Sequence, residues 1–134
     1  MSWSQSNPPP QGPSSLSDAS FSSVQSEKVK VIKKMVTQLT SITTGVTVNA
    51  SSGVVTTVSS TLAAHATAQF TVTNSHVSSS SVVMLTIQDF SGTIGDRCVS
   101  ANVDSVAEGS FIVSLVNGGT TALDGVVKIG FLVV

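Results

Sequence analysis

From Val36 to Val134 the chain contains no stretch with the period of an amphipathic helix, and this limits its fold more than any other feature. Apolar residues instead alternate with Ser and Thr in short runs. Ala66, Ala68, Phe70 and Val72 fall on one face of the clearest run, with Thr67, Gln69, Thr71 and Thr73 on the other. The composition agrees: 22 valines and 40 serines and threonines, against 10% charged residues, favour strands and turns. With no Tyr, one Trp and five Phe, the core is expected to be aliphatic.

Turn signals divide the chain at short intervals. Val46–Val48 ends at Asn49-Ala50-Ser51-Ser52-Gly53, and Val54–Ser59 forms the next run. Asn74-Ser75-His76 and Ser78–Ser81 are turns, and Val82–Gln88 is a strand with Val83, Leu85 and Ile87 on one face. Asp89–Asp96, with Gly92 and Gly95, reads as the longest loop. Arg97–Val103 and Ser110–Val116 are further strands, and Asn117-Gly118-Gly119 is a tight turn. Val126–Val134 is apolar almost throughout, so both its faces are expected to be covered, in a central or an interface strand. About eight strands at this spacing predict an all-β domain, an antiparallel β-sandwich or jelly roll over residues 35–134.

Residues 1–34 differ in kind. Pro8-Pro9-Pro10, Pro13, Gly12 and many serines, with few apolar side chains, predict an extended arm that orders only on a partner. Trp3, Leu16 and Phe21 are its candidate anchors, because large side chains in a polar arm have no internal core to join. Lys28, Lys30, Lys33 and Lys34 are four of the six basic residues, giving +4 and −2 through Lys34 and +2 and −5 after it. Without interleaved aromatics they form an edge strand or meet an acidic protein surface rather than nucleic acid. Fully extended, residues 1–34 would span roughly 110 Å.

Several classes are set aside. A net charge of −1 provides no field for nucleic acid. One cysteine excludes a disulfide scaffold and a thiolate metal cage. No run of 18 apolar residues is present to span a membrane, and Met1–Gln5 lacks the features of a secretion signal. His65 and His76 flank a whole strand, a poor start for a metal site. Asp89, Asp96 and Asp104 lack the alternating acids of a calcium loop, and no basic or aromatic group frames Asp89 and Asp96 as an acid–base pair. No Gly-x-Ser-x-Gly occurs, Cys98 reads as a packed thiol, and Asn49-Ala50-Ser51 is an idle sequon. No enzymatic activity, cofactor, metal or small-molecule substrate is expected.

The run from Val36 to Ala64, followed by Ala68–Ser75 and Ser81–Ile87, resembles a module of tailed-phage and large-virus structural proteins. The closing phrases, Ala107-Glu108-Gly109-Ser110-Phe111, Asn117-Gly118-Gly119 and Gly125–Val134, extend the resemblance over nearly all of 36–134. It implies a trimeric β-sandwich in the virion, on the capsid surface or a tail appendage, and brings no catalytic residues. The expected partners are copies of itself and the major capsid protein or other virion proteins. Val127, Ile129, Phe131 and Val133 are the residues expected at the subunit contact. The principal reading is a decoration or cement protein. The alternatives are a tail-fibre or spike head that binds a host, which the scarcity of Tyr and Trp disfavours, and a free-standing carbohydrate- or protein-binding β-module.

Overall fold

A computed structural model describes residues 32–93 and 98–134. Nine strands and no helix make up these residues. They are β1 (Lys33–Thr37), β2 (Val46–Thr47), β3 (Ser52–Thr56), β4 (Ser60–Leu62), β5 (Thr67–Thr73), β6 (Val83–Thr93), β7 (Val99–Ala107), β8 (Ser110–Asn117) and β9 (Leu123–Val133).

Two sheets pack face to face as a β-sandwich, the architecture expected for period-2 segments with one apolar face. In the first, β9 is central: β3 and β4 run end to end along one side of it, β6 along the other, and β1 extends the sheet beyond β3. The second has the order β2-β5-β8-β7. Most pairs are antiparallel, but β1 pairs β3 and β2 pairs β5 in parallel, so both sheets are mixed rather than purely antiparallel.

The core lies between the sheets. Val55, Val127, Ile129, Phe131 and Val133 enter it from the first sheet, and Phe70, Val72, Phe111, Val113 and Leu115 from the second. Valine dominates, yet three phenylalanines join it, and Phe111 meets Phe131 across the layers with ring centroids 6.0 Å apart. That tilted pair is a favoured aromatic geometry and corrects the expectation of a purely aliphatic interior.

The region expected as the longest loop is in part strand. Strand β6 continues through Asp89 to Thr93, with a bulge between Ile87 and Asp89. The bulge breaks the alternation, and Gly92 lies against Gly125 in the ladder, so the sequence there looks like a loop although it pairs.

Candidate functional site

The strand period divides the expected site residues. Val127, Ile129, Phe131 and Val133 all point inward and are at most 7% exposed, so they form core rather than a subunit contact. The reason is the alternation itself: on a strand apolar on both faces, one set of side chains must fill the sandwich. The other parity, Asp124, Val126, Lys128, Gly130 and Leu132, stands on the outer face of the sheet, with Val134 just beyond the strand.

Lys33 and Lys34 belong to β1, an exposed edge strand, and as successive strand residues they point to opposite faces. Trp3, Leu16, Phe21, Lys28 and Lys30 lie outside the described residues.

Ladder registers fix what shares the outer face with Leu132. Lys33, Ser52, Leu132 and Met84 form one row across the sheet, and Met35, Val54, Gly130 and Thr86 the next. Val82 and Val134 exchange backbone hydrogen bonds of 2.8 and 2.9 Å and extend the face to its end. A groove of about 410 Å³ crosses it, with Gly130 in its floor between Val54 and Thr86, flanked by Met84, Leu132 and Lys33. Sequence reading missed this face. The signal was present as apolar residues at both parities of β9 and at Met84, but only the register joins them into one surface.

The outer face of the second sheet is different in chemistry. Thr67, Gln69, Thr71 and Thr73 of β5 lie beside Val116, Ser114, Ile112 and Ser110 of β8, and Ser100, Asn102 and Ser105 of β7 complete a largely polar surface in which Ile112 and Val116 are half-buried. Gln69 Nε2 donates to Ser114 Oγ at 3.0 Å.

Polar chemistry elsewhere is structural. Asn74, fully buried, donates through Nδ2 to the Ala50 carbonyl at 2.7 Å, while its Oδ1 accepts from the amides of Ala50 and His76. At the opposite end of the sandwich, buried Asn117 donates to the carbonyls of Leu62, Ala63 and Thr121 and accepts from the Gly119 amide. Each asparagine supplies the polar partners that turn backbone needs where ladders end.

His65 and His76 lie at opposite ends of β5, as the sequence suggested. His76 Nδ1 and Ser51 Oγ are 3.2 Å apart on an exposed turn. Asp89 is on the first sheet, Asp104 in the bulge of β7 on the second, and Asp96 lies outside the described residues. Among the described residues no three His, Cys, Asp or Glu side chains gather as a metal site. Cys98 is exposed just before β7 rather than packed. No helix among the described residues is long and apolar enough to cross a membrane.

The most apolar exposed surface among the described residues is thus the grooved outer face of the first sheet. No family model, curated protein or solved structure matches the chain.

Proposed function

We propose that the protein is a non-enzymatic structural component of a virus particle, a capsid decoration or cement subunit. It works as a homotrimer of β-sandwiches, each with an N-terminal arm that grips the shell. One observation carries the reading: at the end of the central strand β9 the outward-facing Leu132, and Val134 just beyond it, lie exposed with Met84 and Val82 beside them. A subunit that spends its life assembled can carry such a face, whereas a free monomer normally keeps its surface charged. The resemblance of residues 36–134 to virion modules supplies the setting, and the Pro/Ser-rich arm suits a segment that orders on a neighbour.

Immunogold labelling of intact particles, with antibody to this chain, tests the reading. Label distributed over the shell is the expected result. Label confined to the tail would replace the shell assignment with a fibre or spike head, and particles without label would overturn a virion role altogether.

A further inference from the structure

We infer that the outer face of the β9-centred sheet is a self-association surface, covered by a second copy of this chain. The inference deepens the reading above by naming the surface through which the subunits meet, and it rests on that reading.

The first argument is position. Among the described residues seven large apolar side chains are exposed, and five of them, Met35, Val82, Met84, Leu132 and Val134, share this one face. They are 37–69% exposed, and single scattered hydrophobics would not gather in this way. The opposite outer face, mostly Thr, Ser, Gln and Asn with Ile112 and Val116 half-buried, carries no exposed large apolar side chain among the described residues, so the fold itself demands no such patch.

The second argument is shape. Copies that close into a ring need a projection on one subunit and a recess on the next, and a surface that carries both can supply each side of that contact. Here the groove over Gly130 is the recess, and Met35, Met84 and Leu132 beside it are the projections. Methionine is unbranched and adapts to irregular gaps, which suits the filling of a shallow groove.

Charge selects the occupant. On this face Lys128 stands opposite Asp89 in the ladder, and Lys33 sits at the margin of the groove. Two copies therefore meet with little like-charge repulsion, while a nucleic acid or a strongly acidic peptide would find little to hold it. A small apolar ligand would fill the groove yet leave Val82, Val134 and most of Met35 in water.

Sedimentation velocity on the full chain tests this at concentrations up to tens of micromolar. The wild type is expected to run as a multiple of the 13.6 kDa chain. Leu132→Glu and Met84→Glu are each expected to weaken association roughly 30-fold or more and to run as single chains. Circular dichroism melts should match the wild type. Val82→Glu, at the exposed end of the patch, serves if either variant unfolds. Thr71→Glu, equally outward on the other sheet, should leave the assembly intact. Oligomers that persist in every patch variant would overturn the surface, as would a single-chain wild type. Either result would leave the labelling of particles to judge the virion role separately.

Discussion

At the scale of single residues, the sandwich depends on side chains that replace missing backbone partners. Asn74 joins the turn after β5 to the turn before β3 through two buried hydrogen bonds to the backbone of Ala50, and a third, to the His76 amide, closes its own turn. Asn74→Ala strands the Ala50 amide and carbonyl, so we expect a loss of about 3 kcal/mol in urea unfolding. Thr57 acts where β3 gives way to β4: its Oγ1 accepts from the Val127 amide at 2.9 Å, filling a gap in the ladder of β9. Thr57→Val keeps the volume and removes the acceptor, and should cost about 2 kcal/mol, while Thr57→Ser should cost much less. A third device is the facing pair Gly92 and Gly125, with φ of +139° and +135°. A Cβ on either would overlap the carbonyl of Asp124 or Ser91. Gly125→Ala should therefore lower stability by about 3 kcal/mol, a strained backbone adding to a clash between strands. The asparagines were legible as turn residues, but their partners, 24 or more positions away in the chain for Ala50 and Leu62, were not.

Among the elements, legibility followed the strength of the alternation. Strand β5 alternates strictly and its buried side chains are the ones its sequence indicates, Ala68, Phe70 and Val72. A central place for β9 was one of the two readings its nearly continuous apolar run allowed, the other being an interface strand, and the structure places it centrally. Its inward face was misassigned to a subunit contact, although Asp124 and Lys128, on the parity of Leu132, mark that other parity as the outward one. The parallel pairs β1–β3 and β2–β5 were hidden for another reason: parallel neighbours are joined by no hairpin turn, so no local signal marks them. Strand β6 shows how an element is disguised. It lies at the sheet edge, pairs only with β9, and carries an extra residue, Gln88, between Ile87 and Asp89. Such a bulge twists an edge away from foreign strands. Deleting Gln88 keeps Ile87 and Phe90 facing inward and straightens the edge. The expected outcome is a retained melting temperature with faster aggregation, followed by turbidity at equal concentration.

For the molecule as a whole, the two outer faces divide the work of being stable and of being assembled. Under the proposed self-association the largely polar face of the second sheet stays wet, and the apolar face of the first meets another copy. The described sandwich contains every strand of both sheets without residues 1–26, so removing them should leave the melting temperature unchanged. Under the proposed function the same truncation should abolish attachment to particles, and normal attachment in a particle pull-down would end the role given to the arm. The position of β9 in the chain has one more consequence. It is synthesised after all the strands it holds together, and β3, β4 and β6 each find their place in the sheet by pairing with it. No nascent chain that stops short of residue 123 can close this sheet, and until β9 emerges the earlier strands have their apolar faces open to the cell. Synthesis of β9 is thus the event that closes the first sheet, and under the proposed self-association a chain that stops short of it lacks the surface on which copies would meet.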